Sequence, residues 1–218
     1  MVRQARSEAT RRRIITSAVQ LFNEIGYPAT GLGDIIERAE MTKGALYYHF
    51  ESKEALATAI IEEGSANLLH AFNKIRDSSA PALEHIIHGL FVVADLLGTD
   101  MVARSGAQLL RAFGEFNNAA AGTYNLWLDE MASRVGAAIE EGDMRPGLDP
   151  RAVSETIVGA MLGAELLSNA TGSDVLQRLA RIWEVLLPAI VTEESLGYFR
   201  EYLARESMRH AAPVVEHP

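Results

Sequence analysis

Cysteine is absent from the 218 residues of this chain. Its absence excludes a disulfide scaffold, a thiolate nucleophile and any metal site built on Cys ligands. The apolar stretches are interrupted by charge before they reach roughly 18–20 residues, the length that a membrane span requires. The basic N-terminus leads into an amphipathic segment and not into the apolar core of a signal peptide. We therefore expect a cytoplasmic protein that has no membrane partner.

The period-two alternation of a half-buried strand is also missing. Apolar residues recur instead with the helical period, as in Ile14, Ala18, Leu21, Phe22 and Ile25, which share one face of a helix. Similar segments follow along most of the chain. The sequence therefore predicts an all-α protein.

Capping residues predict where several of these helices begin and end. Thr30, Thr42 and Ser173 are predicted to open helices, because a side-chain oxygen can accept a hydrogen bond from the first turn. Gly26, Gly98 and Gly172 are placed just past helix ends. Pro188 should kink or end the ninth helix.

Basic residues are in the minority, with 20 Lys and Arg against 29 Asp and Glu and a formal net charge of -9. The first thirteen residues nevertheless carry five arginines and one glutamate. A basic end on an acidic body is expected where only that end meets nucleic acid. A solvated charged face explains the same asymmetry equally well.

Three short helical segments within the first 50 or so residues give the layout of a helix-turn-helix. The turn is Glu40-Met41-Thr42, and the third segment, residues 43–50, would be the recognition helix. Leu46 and Phe50 would face inward, whereas Lys43 and the Tyr47-Tyr48-His49 run offer donors to DNA. A plain aromatic-rich core helix is the alternative reading of this periodicity.

Residues 10–56 resemble the DNA-binding domain of the TetR family of transcriptional repressors. The resemblance rests on an ordered pattern: Ile14, Ala18, Leu21-Phe22, Gly26-Tyr27, Thr30, Ile35, Ala39, Thr42-Lys43-Gly44-Ala45-Leu46-Tyr47-Tyr48-His49-Phe50, Ser52-Lys53-Glu54 and Leu56. The run from Thr42 to Phe50 looks most like the γ-butyrolactone-receptor branch, which regulates antibiotic production in actinomycetes. The run Val102-Ala103-Arg104-Ser105-Gly106 and Trp127 are similar to that branch as well.

The resemblance implies a set of DNA contacts. Tyr47, His49 and Lys53 match phosphate-gripping positions, and Thr30 matches a phosphate-contacting cap. Thr42, Lys43 and Gly44 match positions near base edges, and we add Tyr48 because its hydroxyl can donate to a phosphate oxygen. The arginine-rich arm before residue 14 would lie beside the minor groove or the backbone.

Two positions depart from the family pattern. Glu40 stands in the turn where the family usually has glycine, and Ile36 stands where it usually has a small alanine. A side chain in that turn requires either a strained backbone or a shifted turn. A different operator preference would follow from either.

The resemblance divides the chain into a DNA-binding domain (1–53), a helical ligand-binding and dimerisation domain (54–210) and a flexible tail (211–218). The ligand would be small, mostly apolar and neutral, because few charges lie among the candidate pocket residues. A buried core tryptophan is the alternative for Trp127, and Glu165 could face a cavity or solvent. The predicted pocket residues are Phe91, Leu110, Phe113, Trp127, Met131, Met161 and Glu165.

A dimer is expected because two-fold symmetric proteins read palindromic operators. Gly159 and Gly163, four residues apart, would permit a close approach of two helices. Ile182, Trp183 and Leu186 would supply an apolar stripe for an interface with a second copy. The same residues could instead fill the core of one chain.

Catalytic constellations are missing from the sequence, so we predict no enzyme and no cofactor. His85 and His88 are spaced for a shared metal beside Glu84, but no third ligand is evident, and we predict no metal site. The sequence has no P-loop and no Gly-x-Ser-x-Gly elbow.

Taken together, these features predict a homodimeric repressor that a butyrolactone, butenolide or furan signal releases from a palindromic operator, and that controls secondary-metabolite genes. A TetR-type pseudo-receptor or efflux regulator answering an antibiotic is one alternative. A small helical enzyme or carrier without a DNA role is another.

Overall fold

The structure, a computed structural model, describes residues 2–74, 80–113 and 118–210. Within these ranges the only extended pairing is an isolated antiparallel bridge between Met144 and Val191. The all-α prediction is confirmed, whereas the predicted tail, 211–218, lies outside the described residues. The helices are α1 (Val2–Ile25), α2 (Leu32–Arg38), α3 (Lys43–His49), α4 (Lys53–Asn73), α5 (Ala82–Thr99), α6 (Met101–Phe113), α7 (Asn118–Glu140), α8 (Pro150–Thr171), α9 (Val175–Ile190) and α10 (Glu193–His210).

The chain forms two compact units. The first comprises residues 1–68 and 96–123, and the second comprises residues 69–95 and 124–218. Helices α4, α5 and α7 each contribute to both units. The predicted boundary after residue 53 separates functional roles and stays a prediction.

The first unit has a core made by the amphipathic faces of its short helices. Ile14 and Ala18 of α1, Ile35 of α2 and Leu46 of α3 are completely buried. Helix α1 packs against α2, α3 and α6. The helix-turn-helix region is therefore folded together with α6, which lies more than 50 residues further along the chain.

A close crossing of α4 and α6 depends on two glycines. A Cβ atom on Gly106 would lie 2.8 Å from the Ile60 carbonyl oxygen and 3.1 Å from the Gly64 Cα. A Cβ atom on Gly64 would lie 2.7 Å from the Val102 carbonyl oxygen. Because these neighbours are backbone atoms, larger residues would force the helices apart.

Two predicted helix ends are confirmed and two predicted caps are wrong. Gly26 and Gly172 take positive φ values, 84° and 66°, at the ends of α1 and α8. Helix α2 is capped at Gly31, not at Thr30, because the Asp34 carboxylate accepts the Gly31 N–H at 2.8 Å. Likewise α9 is capped by Asp174, not by Ser173: its Oδ1 accepts the Leu176 N–H at 2.8 Å.

Helices α5 and α9 run past the residues predicted to stop them. Gly98 lies inside α5, which ends at Thr99, and α9 continues beyond Pro188 to Ile190. Arg145 satisfies the carbonyls at the end of α9, donating to Pro188 O at 2.7 Å and to Val191 O at 3.0 Å. Arg145 thus supplies donors to carbonyls that a helix end leaves without an intrahelical partner.

The second unit has a larger aromatic core. Phe72, Phe91, Trp183 and Phe199 are at most 1% exposed. One helix in the described residues, α5, is long and apolar enough to cross a membrane, and half of it is buried inside the protein. Such burial is typical of a core helix.

Candidate nucleic-acid interface and regulatory body

Helix α3 is capped at its start by a side chain and is anchored in the core by two buried apolar residues. The Thr42 hydroxyl accepts the Ala45 N–H at 3.2 Å, so the predicted capping role is confirmed. Leu46 is completely buried and Phe50 is 5% exposed. The inward orientation expected of both residues is confirmed, and the rest of the helix is left to face outward.

The outward face of α3 carries hydrogen-bond donors. Tyr48 is 77% exposed, Tyr47 and Lys43 are also exposed, and His49 is half-buried. The Lys43 ammonium lies 5.7 Å from the centre of the Tyr47 ring. Nothing stands within 4 Å of a Cβ atom built on Gly44, so a groove wall could come close to the backbone there. The face combines cationic and phenolic donors with a shallow profile, as phosphate and base contacts require.

Thr30 does not lie on this face. It is 1% exposed, and its hydroxyl donates to the Gly26 carbonyl at 2.8 Å. The hydroxyl therefore closes the loop between α1 and α2 from the inside. In this arrangement it is out of reach of a phosphate, and we remove Thr30 from the expected contact set.

Lys53 is engaged with the same loop. Its ammonium donates to the carbonyl oxygens of Thr30 at 2.9 Å and Tyr27 at 3.0 Å, and it lies 4.3 Å from the centre of the Tyr27 ring. A third carbonyl, that of Pro28, is 3.5 Å away. An ammonium has three donors, so this geometry makes Lys53 an anchor of the loop and not an open phosphate ligand. Burial raises the pKa of Tyr27, and the nearby Glu54 carboxylate adds to this.

The predicted pocket residues are divided between the two units. In the first unit, Leu110 is nearly buried and Phe113 packs edge-on against Tyr27, with ring centroids 5.0 Å apart. The five in the second unit are Phe91, Trp127, Met131, Met161 and Glu165. Convergence of all seven on one cavity stays a prediction.

Within the second unit these residues face the interior to different degrees. Phe91 and Met131 are completely buried, and Trp127 is half-buried with its ring centroid 5.8 Å from that of Phe72. Glu165 is only 6% exposed, which settles its orientation: it faces inward. A carboxylate on the inner side of α8 could select one polar group of a ligand.

The expected dimer surface needs one correction. Trp183 is 1% exposed and belongs to the core of its own chain. It shares a helical face with the buried residues Leu179 and Leu187 at i−4 and i+4, so the interface assignment of Trp183 is wrong. Ile182 and Leu186 are half-buried, and open space surrounds both Gly159 and Gly163.

Three exposed aliphatic residues were missed in the sequence. Val185 on α9 is 75% exposed, and Leu166 and Leu167 on α8 are at least half exposed. Val185 lies two residues from Trp183, about 200° around the helix, so the helical phase alone could have separated them. We call Leu166, Leu167, Ile182, Val185 and Leu186 the α8–α9 apolar face.

Comparison with known proteins decides the family. The model of bacterial regulatory proteins of the tetR family matches residues 14–60, and a tetracyclin repressor-like C-terminal domain matches residues 101–184. The A-factor receptor protein of Streptomyces griseus is 32% identical over 192 residues, 87% of this chain and 67% of that protein. The chain belongs to the TetR family. It is a transcriptional regulator and not an enzyme.

Solved TetR structures agree with this fold over nearly the whole chain. A γ-butyrolactone receptor described as ArpA-like is 29% identical, with a TM-score of 0.79 over 94% of this chain and 99% of that one. CprB of Streptomyces coelicolor, solved with its biological operator sequence, is 30% identical, with a TM-score of 0.76 over 94% and 99%. This TetR regulator is thus related to γ-butyrolactone receptors.

The departure of Glu40 from the TetR pattern is accommodated by backbone strain. Glu40 has a φ of 48°, the one positive φ found at a non-glycine position among the described residues. An L-residue in this conformation costs about 1–2 kcal/mol. The Glu40 carboxylate accepts a hydrogen bond from Arg13 at 2.8 Å, so the side chain also joins the turn to α1. Of the two outcomes expected for this substitution, the strained backbone is the one observed.

The arginine-rich arm of this TetR regulator is helical. Helix α1 begins at Val2, so the basic residues are arrayed on a helix surface. Arg11 pairs with Glu63 at 3.3 Å, and Arg13 pairs with Glu40. Arg6 and Arg12 are exposed and are the better candidates for contact with a polyanion.

The segment that resembles the γ-butyrolactone-receptor branch has a packing role. Ser105 is buried and its hydroxyl accepts a hydrogen bond from the Asn23 side-chain amide at 2.8 Å, which joins α6 to α1. Gly106 makes the close approach to α4. Arg104 donates to the Leu97 carbonyl at 3.0 Å. These contacts fix α6 inside the unit that holds the recognition helix.

Proposed function

We propose that this chain acts as a homodimeric repressor that binds a palindromic operator through α3 and is released by a small hydrophobic signal. The observation that carries the proposal is the outward face of α3, where exposed donors sit on a helix anchored by Leu46 and Phe50. A regulator of this kind acts on DNA, which places it in the cytoplasm.

The DNA contacts we propose are those that the free chain leaves open. Lys43, Tyr47 and Tyr48 extend from α3, and Thr42 and Gly44 lie at its N-terminal end, the part of a recognition helix that reaches base edges. His49 is half-buried beside them. Lys53 contributes by holding the loop, and therefore the orientation of α3, in place.

The dimer we propose uses the α8–α9 apolar face. A pair of leucines and an exposed valine on adjacent helices form the kind of surface that is buried in two-fold assemblies. A neighbouring groove of about 180 Å³ is lined mainly by apolar residues, among them Val153, Ile157 and Ile190. Gly159 and Gly163 leave room beside it for a helix from a second copy.

The ligand we propose is a γ-butyrolactone, butenolide or furan. Support comes from the predicted pocket residues of the second unit, which are apolar apart from the buried carboxylate of Glu165, and from the relatives' names. A neutral molecule with an alkyl chain and one or two polar groups suits that environment. Control of secondary-metabolite genes is the corresponding biological role.

The signal would reach DNA through helices that belong to the recognition-helix unit. Helix α4 begins with the loop anchor Lys53, and α6 is bonded to α1 through Ser105 and Asn23. A change in either helix alters the support of α3. A ligand shifts this equilibrium only as far as it binds the two states with different affinity.

A gel shift tests the DNA claim. The probe is the DNA upstream of the chain's own gene at a stated salt concentration, because phosphate contacts weaken with salt. Tyr47→Phe should weaken binding to operator and to random DNA alike. Tyr198→Phe, the same change at an exposed tyrosine on α10, is the matched control. Unchanged affinity of the Tyr47→Phe variant would show that the phosphate assignment is wrong.

The same assay tests the ligand class. An organic extract of the producing culture, or a synthetic γ-butyrolactone, should abolish the shift. Release by an antibiotic alone would establish the pseudo-receptor alternative. Failure to bind any sequence in a random-operator selection would overturn the repressor proposal.

Oligomeric state tests the dimer. Val185→Asp places a charge on the most exposed residue of the α8–α9 apolar face, and we expect a monomer by sedimentation. Glu184→Asp is the control at the neighbouring exposed position. A Val185→Asp variant that remains dimeric would move the interface to another surface.

A further inference from the structure

Three potential metal ligands meet in the second unit, between α5 and the end of α10. They are His88 on α5 and Glu206 and His210 on α10, and one donor atom from each lies within 4.8 Å of the other two. The His88 Nδ1 is 2.6 Å from the Glu206 Oε2, and the His210 Nε2 is 3.7 Å from the same oxygen. Because Glu206 and His210 are four residues apart, they share one face of α10.

Burial makes this cluster unlike a surface group of polar residues. Glu206 is completely buried, and the His88 and His210 side chains are 23% and 16% exposed. The Phe91 ring covers the His210 imidazole, with centroids 5.7 Å apart. A carboxylate removed from water to this extent requires a cation or several hydrogen bonds.

Both oxygens of Glu206 have a partner in the protein. The Arg209 guanidinium pairs with Oε1, and Oε2 forms a 2.6 Å hydrogen bond with the His88 Nδ1. The second imidazole, that of His210, lies 3.7 Å from the same Oε2. The His210 Nε2 is buried and forms no hydrogen bond with any described residue. Burying such a nitrogen without a hydrogen-bond partner is unfavourable. The ion pair between Arg209 and Glu206 gives the His210 Nε2 no partner, whereas a bound metal ion would be coordinated by that nitrogen.

We propose that His88, Glu206 and His210 bind a divalent transition-metal ion of the Zn²⁺ class. Two imidazoles and one carboxylate are a ligand set that zinc takes with a fourth position open to water. Bonds of about 2.0–2.1 Å at tetrahedral angles separate ligand atoms by roughly 3.3 Å. The observed separations from Glu206 Oε2, 2.6 Å to His88 and 3.7 Å to His210, lie on either side of that value, and the two imidazole nitrogens lie within 4.8 Å of each other. Binding therefore requires the His88–Glu206 hydrogen bond to open and the side chains to move around the ion. Arg209 then acts as an outer-shell group that orients the carboxylate.

Such an ion would join the end of α10 to α5 and stabilise the folded chain by mass action. The site is independent of the DNA and signal-molecule roles proposed above. It also differs from the cluster considered in the sequence: Glu84 accepts a hydrogen bond from Tyr198, and burial lowers the pKa of His85. His88 instead finds its partners 118 and 122 residues along the chain.

Calorimetric titration with Zn²⁺ tests the proposal. The full chain is purified without a polyhistidine tag, stripped with a chelator and titrated with Zn²⁺ alone. We expect one ion per chain. His210→Ala and His88→Ala should each weaken binding by more than about 10-fold, since even the loss of an outer-shell group costs this much. His70→Ala, at an exposed histidine of α4, is the matched control and should bind like the parent.

Thermal melting provides a second measurement. Zn²⁺ should raise the melting temperature of the parent and of the His70→Ala variant, but not that of His210→Ala. If His88→Ala fails to fold, His210→Ala decides alone, because it removes a ring at the last described turn of α10. No saturable binding by the parent, or equal binding by the parent and the His210→Ala variant, would overturn the proposal.

Discussion

Helix α3 and the α8–α9 apolar face both leave side chains exposed, but the chemistry that they expose is opposite. On α3 the exposed residues are Lys43, Tyr47 and Tyr48, whereas on α8 and α9 they are Leu166, Leu167 and Val185. Exposing polar donors to water costs little free energy, so these side chains can remain exposed whenever DNA is not bound. Exposed aliphatic residues are stabilised by a permanent partner. This difference is why we propose that α3 meets DNA and that the α8–α9 apolar face meets a second copy of the chain.

The largest effect should separate core from surface on α9. Trp183→Ala removes a fully buried indole and should lower the free energy of unfolding by about 3–5 kcal/mol. Glu184→Ala, at the exposed neighbour, should change it by no more than about 0.5 kcal/mol. Urea unfolding at one fixed protein concentration measures both. Equal losses of unfolding free energy in the two variants would show that Trp183 is not a core residue and would contradict the distinction between the buried and exposed sides of α9.

The next effect concerns the crossing of α4 and α6 in the unit that also holds α3. Gly106→Ala should destabilise the chain by about 1–3 kcal/mol, because the added methyl meets the backbone of α4. Gly98→Ala, in open space inside α5, should instead stabilise by about 0.5–1 kcal/mol through helix propensity. Opposite signs in thermal unfolding would support the close crossing. Matching signs would contradict it.

Two lysines test whether a residue contacts DNA directly or stabilises the loop that orients the recognition helix. Lys53→Met should cost about 1–3 kcal/mol of stability, because three loop carbonyls lose their donor. Lys43→Met should leave stability within about 0.5 kcal/mol but lower the salt dependence of DNA binding by about one phosphate contact. Unfolding and salt-titrated gel shifts separate the two. A reduced salt slope for Lys53→Met would make Lys53 a direct contact after all.

The smallest expected effect is at the turn. Glu40→Gly relieves the positive φ, worth about 1–2 kcal/mol, and loses an exposed ion pair worth about 0–1 kcal/mol. A net stabilisation of about 1 kcal/mol should follow. The change in unfolding free energy of Arg13→Ala measures the contribution of the Arg13–Glu40 ion pair alone. Destabilisation by Glu40→Gly would mean that the link between Glu40 and α1 outweighs the strain.

Much of the recognition-helix region could be predicted from the sequence because its signals are local. The cap at Thr42, the burial of Leu46 and the strain at Glu40 each depend on residues within a few positions. Thr30 and Lys53 were harder to assign. Their polar groups meet carbonyls of a loop whose shape is set by packing, and a sequence pattern carries no record of which partner a donor selects.

The part of the chain that follows α3 was predicted less completely. Its helices and several of their ends follow from apolar periodicity, proline and glycine. Trp183 was misassigned because the apolar residues of α9 were treated as one stripe. The helical phase separates Trp183 from Val185, and the packed neighbours decide which of the two is buried. The predicted pocket residues are split between two compact units. The proposed metal site joins His88 to Glu206 and His210, which lie 118 and 122 residues further along the chain.

The sequence by itself determined the helical class, the helix-turn-helix and the family, because these depend on short-range periodicity and on an ordered local motif. The tertiary structure decided which donors stay available for DNA, which apolar residues stay exposed and which three ligands meet. Those outcomes depend on contacts between distant helices, where burial and partner geometry override the preference of any single residue.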